Sequence, residues 1–302
     1  MAEVCPKVQV IDGIPVSIDY DVETFRPALN YKPRPDDIFL SVYPKSGSTW
    51  AEVILYTLMN DGEAFNNNMA EYFARTPYLE QIGKRGINNM HRPCVIKTHL
   101  PFNRIPYCEK AKYVCVVRNP KDVCVSFYYF ILKLTGGEPD KASFDAFFEA
   151  FINGNVYFGD YFEHLRSTWQ QKDDVNVFLT SYEEMKRDLR SVIRRLAQFL
   201  AIELNSNLLE RIVTYPSFDY MKERYGRAYS AQARVALANE SPTALWPINK
   251  SSLQNCEFSL IRKGVVGSWS LTMSKAQSQR LDKIFVEKTA GMHGLDKLFL
   301  PP

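Results

Sequence analysis

The sequence predicts an α/β fold in which a parallel sheet is covered by helices on both faces. Three observations predict it. Strand, loop and helix recur in that order along the chain. The segment Tyr113-Val-Cys-Val-Val117 is apolar throughout, as a strand covered on both faces must be. There is no internal repeat and no low-complexity tract, so the strands must find partners among themselves across the intervening helices.

The elements follow in chain order. Ile38-Phe-Leu-Ser-Val-Tyr43 reads as a buried strand entering the loop Pro-Lys-Ser-Gly-Ser-Thr. Trp50, Val53, Ile54, Thr57 and Leu58 then recur at helical spacing. A shorter strand, Cys94 to Lys97, stops at Thr98-His99-Leu100-Pro101 at a sheet edge. Tyr113–Val117 ends at Arg118-Asn119-Pro120, where Asn119 suits an N-cap and Pro120 the first helical position. That helix runs through Asp122, Ser126 and Phe130. A further strand spans Val175 to Leu179. Ser181 and Glu184 have capping-box spacing before a helix bearing Met185, Leu189, Val192, Leu196 and Phe199. Residues 222–257 are polar and aperiodic, with Gly226, Pro242 and Pro247; a loop of that length is expected to be a lid.

Composition narrows the function classes. With 302 residues, 46% hydrophobic, the chain can bury a sizeable core as one large domain or two smaller ones. A net charge of +3 is too small to argue for nucleic acid, so any anion site must be local. Met1 to Asp21 carries Glu3, Lys7, Asp12 and Asp19 and has no apolar signal region. No run approaches the roughly 18 apolar residues of a membrane span. The six cysteines, at 5, 94, 108, 115, 124 and 256, form no Cys-x-x-Cys pair. Free thiols in a reducing compartment, the cytoplasm, are the expectation.

Tyr43-Pro-Lys-Ser-Gly-Ser-Thr-Trp50 is the segment richest in chemistry. A strand–loop–helix corner presents backbone amides and the positive end of a helix. Lys45 adds a charge, and Ser46, Ser48 and Thr49 add hydroxyls. Gly47 lets an anion approach the backbone. The triphosphate loop Gly-x-x-x-x-Gly-Lys-Ser/Thr does not fit, because here the lysine precedes a single glycine. The loop is suited to one compact phosphate.

Pro-Lys-Ser-Gly-Ser-Thr-Trp closely resembles the 5′-phosphosulfate loop of cytosolic sulfotransferases. Three further segments resemble the same family in the same order: Lys97-Thr-His-Leu-Pro101, Arg118-Asn-Pro-Lys-Asp-Val-Cys-Val-Ser126 and Arg262-Lys-Gly-Val-Val-Gly267. The similarity covers roughly residues 30 to 295. It implies a central parallel sheet like that of P-loop nucleotide hydrolases, in a single domain spanning 1–302.

The resemblance also implies the activity: transfer of a sulfuryl group from 3′-phosphoadenosine-5′-phosphosulfate to an acceptor hydroxyl, leaving adenosine 3′,5′-bisphosphate. His99 would be the base, since a neutral imidazole can take a hydroxyl proton. Lys45 would meet the bridging oxygen. Lys97, two residues before His99 on one strand face, would meet the transferring group. Arg118, Ser126, Arg262, Lys263 and Gly264 would hold the 3′-phosphate. Trp50, Tyr182, Ser217, Phe218 and Met221 would surround the adenine. Tyr78, Phe102 and Phe130 are expected walls of an aromatic acceptor pocket for a phenol, catecholamine or steroid, while Phe144, Phe147 and Phe148 are expected in the core. No acidic cluster suits a metal, and none is expected, because a sulfuryl group carries only one negative charge.

Two positions depart from the family pattern. Pro216 stands where the family usually has Thr. Gly267-Ser-Trp-Ser-Leu-Thr-Met-Ser-Lys-Ala-Gln-Ser-Gln279 lacks the Thr-Val and terminal Glu of the family's dimer motif, so a monomer or weak homodimer is expected. A non-catalytic carrier on the same fold and a small-molecule kinase are the competing possibilities. The presence of Lys45, Lys97, His99 and Ser126 argues against the first. The failed triphosphate loop argues against the second.

Overall fold

Parallel strands buried on both faces form the centre of the molecule. The computed structural model describes residues 6–63, 69–90, 92, 94–135, 143–225 and 261–300. An antiparallel hairpin, β1 (Val8–Ile11) and β2 (Ile14–Ser17), comes first, then helix α1 (Val22–Leu29). Strand β3 (Ile38–Val42) leads into α2 (Ser48–Met59), and α3 (Met69–Arg75) and α4 (Leu79–Asn88) precede β4 (Val95–Thr98). Strand β5 (Lys112–Val117) feeds α5 (Pro120–Thr135), followed by α6 (Phe144–Ile152) and α7 (Tyr161–Trp169). Strand β6 (Val177–Ser181) is followed by α8 (Tyr182–Arg187), α9 (Leu189–Phe199) and α10 (Ser206–Thr214). Helix Lys275–Lys288 and a 3-10 turn at Leu295–Phe299 follow.

The main sheet has the order β4-β3-β5-β6, all parallel. All five β3 residues are buried, and Phe39 stacks on Tyr113 of β5 with ring centroids 5.1 Å apart. Successive strands are added first to one side of β3 and then to the other. The chain therefore reverses direction at the carboxyl ends of β3 and β5, where the diverging connections open a crevice.

Several boundaries differ from the sequence expectation, for identifiable reasons. The strand expected over 175–179 lies at 177–181. Val175 is 91% exposed, in a turn closed by the Val177 amide on the Asp174 carbonyl, and pairing begins only at Tyr113↔Val177. The helix expected across Met185 to Phe199 is two helices. Asp188 leaves helical geometry (φ −148°, ψ 77°) and its carboxylate caps α9 through the Ser191 amide. Ser181 does cap α8, but Glu184 does not close the box. Its carboxylate takes the Thr180 hydroxyl at 2.7 Å and pairs with Arg195. Asn119 caps α5 as expected, accepting the Lys121 amide at 2.9 Å.

Phe147 and Phe148 are core residues, and Phe144 packs against Tyr128. Cys94, Cys108, Cys115 and Cys124 are free thiols, and burial pushes Cys94 up to about 11. The expected lid over 222–257 lies outside the described residues from 226 onward, as do Cys5 and Cys256. Among the described residues, no helix is long and apolar enough to cross a membrane.

Candidate active site

The loop after β3 is shaped by two left-handed residues. Lys45 has φ +67° and Gly47 φ +106°, and the Ser46 amide closes the turn on the Tyr43 carbonyl. Lysine pays a conformational penalty in that region, of the kind concentrated at functional sites. Gly47 is required twice over: its φ suits glycine, and a Cβ there would lie 2.9 Å from the Tyr182 ring. The turn delivers the chain to Ser48, the first residue of α2, so the unpaired amides of that helix face the loop.

Beside this loop lies an open cleft. Its walls bring together Lys45, Gly47, Ser48, Thr49, Trp50, Arg118, Ser126, Tyr182, Phe218, Met221, Arg262, Lys263 and Gly264, all named from sequence. Two expected residues do not line it. Ser46 is fully buried beneath the loop, its hydroxyl without a partner among the described residues. Ser217 is exposed; its carbonyl accepts the Met221 amide, and Pro216 lines the wall instead.

Arg118 joins the parts. It is 7% exposed at the end of β5, and its guanidinium donates to the Lys45 carbonyl at 3.1 Å and the Val265 carbonyl at 3.4 Å. Its plane lies 4.0 Å above the Tyr182 ring, which itself meets Trp50 edge-on. The 3.4 Å bond to Val265 brings the C-terminal loop to the crevice. Asp122 fixes that loop. Fully buried in the first turn of α5, it accepts the amides of Gly267 at 2.7 Å and Trp269 at 3.1 Å. Arg262 in turn donates to Ser268 at 2.8 Å.

Sequence reasoning missed Asp122 and also Lys186, whose ammonium lies 4.7 Å over Trp50 within the cleft. The acidic first turn of α5 was a signal for Asp122. Lys186, four residues after Tyr182 on one helix face, offered only that spacing.

Gly264 has φ +66°, and a Cβ there would come within 2.2 Å of the Phe218 ring. Gly264→Ala is expected to displace Phe218 and weaken adenosine 3′,5′-bisphosphate binding by about 1–3 kcal/mol, roughly 5- to 150-fold, measured calorimetrically.

Burial pushes Lys45 down to about 7, helped by the charges of Lys133, Arg118, Arg262 and Lys97. An anion placed among these groups favours the ammonium again. Anion binding is therefore expected to draw in a proton above pH 7, and affinity to fall toward pH 9 by up to about tenfold per unit. Titration calorimetry in buffers of different ionisation enthalpy checks this.

His99 follows the last residue of the edge strand β4 and is buried. Its Nδ1 lies 2.5 Å from the Val42 carbonyl, which can only accept, so Nδ1 carries the proton and Nε2 is the basic nitrogen. Burial, then the Lys97 charge, holds its pKa well below the usual histidine range. It is the neutral imidazole that occupies the site at pH 7.

Glu80 clamps this turn from α4. One buried carboxylate oxygen accepts the Thr98 hydroxyl and the His99 amide, each at 2.7 Å, and the Leu100 amide at 3.2 Å. Burial pushes Glu80 up to about 7.

Tyr78 packs edge-on against His99 at 5.1 Å, and Phe158 does so at 5.4 Å. Phe130 lies 4.4 Å from the Lys45 ammonium. Phe102 belongs elsewhere: its ring packs against Tyr113 at 5.3 Å and Tyr107 at 6.3 Å, at the opposite end of β5 from Arg118. Phe102 is thus core, buried at the head of a short 3-10 turn. Lys97 stays beside His99, whose ring feels its charge, and its ammonium lies 4.8 Å from the centroid of the Tyr78 ring. β4 ends at Thr98, so its alternation does not extend to His99, and the Lys97 ammonium lies 3.0 Å from Glu52 of α2.

The sulfotransferase domain family matches residues 35–293. The chain belongs to the sulfotransferase family. It is therefore a sulfotransferase whose sulfuryl donor is 3′-phosphoadenosine-5′-phosphosulfate. Sulfotransferase 1 family member D1 of Mus musculus is 30% identical over 92% of this chain and 91% of its own. Sulfotransferase 1E1 of Bos taurus is 31% identical over 93% and 92%. The crystal structure of mouse sulfotransferase SULT7A1 complexed with PAP is 27% identical, with a TM-score of 0.71, covering 94% of this chain and 95% of the other. Among the described residues, no group of three His, Cys, Asp or Glu could hold a metal ion.

Proposed function

We propose that this sulfotransferase acts on the hydroxyl of a small aromatic acceptor, with His99 as the base. The carrying observation is the orientation of His99: its proton is held on the Val42 side, in a turn clamped by Glu80, beside the aromatic rings of Tyr78 and Phe158. His99 Nε2 takes the acceptor proton as the acceptor oxygen bonds to sulfur. The bond from sulfur to the bridging oxygen breaks, and its electron pair leaves with the bisphosphate. Lys45 neutralises that oxygen, and no metal is required. Ser126, lining the cleft, donates to the 3′-phosphate.

Arg118, Arg262 and Lys263 receive the 3′-phosphate; Trp50, Tyr182 and Phe218 flank the adenine. Tyr78 and Phe130 wall the acceptor, which favours a phenol, catecholamine or steroid over a sugar. The chain acts as a single catalytic domain in the cytoplasm, as a monomer or weak homodimer, with neither nucleic acid nor membrane as partner. Its four described free thiols fit a reducing compartment.

Thermal shift with adenosine 3′,5′-bisphosphate against ATP tests the donor site. The bisphosphate at 100 times its Kd should stabilise the fold by about 2.7 kcal/mol, and ATP far less. Stabilisation by ATP alone contradicts the assignment. Transfer of labelled sulfuryl across phenols, catecholamines, steroids and sugars tests the acceptor class, and turnover of sugars alone would refute an aromatic slot.

A further inference from the structure

Glu52 has no place in the chemistry described so far. It lies in the second turn of α2, the helix whose first turn forms the phosphate corner, and is fully buried. The Lys97 ammonium sits 3.0 Å from its Oε1, and Oε2 meets no donor among the described residues. Lys97 is also within 4.8 Å of the Tyr78 ring centroid, so the pair borders the proposed acceptor wall. A buried ion pair is a weak source of stability, because desolvation offsets the attraction. A carboxylate with an idle oxygen, held on a lysine beside the base, suits a different task.

We propose that Glu52 is a positioning residue that holds Lys97 at the reaction centre and competes with the donor's sulfonate for its ammonium. This rests on reading Lys97, as the resemblance of Lys97-Thr-His-Leu-Pro101 implies, as the group that meets the transferring sulfonate. With donor bound, the ammonium divides its hydrogen bonds between carboxylate and sulfonate. The carboxylate thereby restrains ground-state binding of the sulfonate. As negative charge builds on the transferring oxygens, Lys97 shifts its weight toward them, which is the differential binding that accelerates a reaction. The surrounding charges are Lys45 from the β3–α2 loop, Glu80 from α4, and Lys97 itself from β4. The neutral His99 and the Tyr78 phenol complete the surroundings.

The test compares binding of intact 3′-phosphoadenosine-5′-phosphosulfate, without acceptor, with that of adenosine 3′,5′-bisphosphate, which lacks the sulfonate. Glu52→Gln should tighten the donor relative to the bisphosphate by about tenfold, equivalent to about 1.4 kcal/mol, while kcat falls. In a Lys97→Met background the same substitution should leave the ratio unchanged. A merely structural pair predicts the opposite: lower Tm, equal loss for both ligands and no change in ratio, and that result overturns the proposal. Where Glu52→Gln does not fold, Glu52→Asp retains the charge on a shorter arm. It should move the ratio the same way by about threefold, and an unmoved ratio again overturns the proposal. The two failures are distinguishable. If Lys97→Met turns over normally, the Lys97 assignment itself is wrong. If Lys97→Met is impaired but the ratio in Glu52→Gln is unmoved, only the role of Glu52 is wrong.

Discussion

His99→Ala is expected to lower turnover by about 10²- to 10⁴-fold, the usual contribution of a positioned general base. Its binding of adenosine 3′,5′-bisphosphate should stay within about twofold of the parent, under half a kcal/mol. The separation follows from geometry. His99 does not line the donor cleft, and its neighbours are Val42, Tyr78 and Phe158. Near-parental turnover in the variant would remove His99 as the base.

The parent enzyme should show a matching pH signature. Burial, reinforced by the Lys97 charge, depresses the His99 pKa. A base with a depressed pKa remains unprotonated down to lower pH, so activity is lost only as pH falls through that lowered value. The acid limb of kcat/KM therefore belongs below pH 6.5. An acid limb above that would show that another group titrates. Glu80 sharpens the point, since its carboxylate holds the backbone of His99 rather than its ring.

The second large effect is Arg118→Ala. Bisphosphate affinity should fall by about 3 kcal/mol, roughly 150-fold, for the loss of two charge-assisted hydrogen bonds. The diagnostic readout is selectivity. The parent should prefer adenosine 3′,5′-bisphosphate to adenosine 5′-monophosphate, and the variant should lose most of that preference. An intact preference would place the 3′-phosphate elsewhere. Arg118 also donates to the carbonyls of Lys45 and Val265 and covers Tyr182. Loss of its side chain is therefore expected to loosen three walls of one cleft. Arg118→Lys should recover little, because an ammonium has neither the fork nor the plane.

Local patterns carried much of the fold. The apolar run Tyr113–Val117, the cap at Asn119 and the strand–loop–helix corner at 38–50 each depend on neighbours in sequence. Each stands in the structure close to where periodicity and capping chemistry put it. Boundaries shifted where a tertiary contact outweighed the local pattern. Val175 has strand character but lies beyond the partner strand, and Asp188 found a better use as a cap than as a helical residue. Phe102 could not be assigned from sequence, since an aromatic beside a catalytic segment can face the acceptor or the core with equal local logic.

The same division runs through the active site. By itself the sequence determined the chemistry available at each corner: a lysine and hydroxyls after one strand, a histidine after another, an arginine after a third. Those properties belong to residue types and short spacings. Only the tertiary structure decided which groups face one another. Strand order 4-3-5-6 sets the ends of β3 and β5 side by side, so that Arg118 reaches Lys45 across 73 positions of sequence and Val265 across 147. It also decided that Lys97 meets Glu52, and that Asp122 anchors the C-terminal loop. Both partners are carboxylates buried at the site, and burial is a property of the whole fold. A charge removed from water must find its counterpart wherever packing brings one, and sequence distance has no bearing on which one that is.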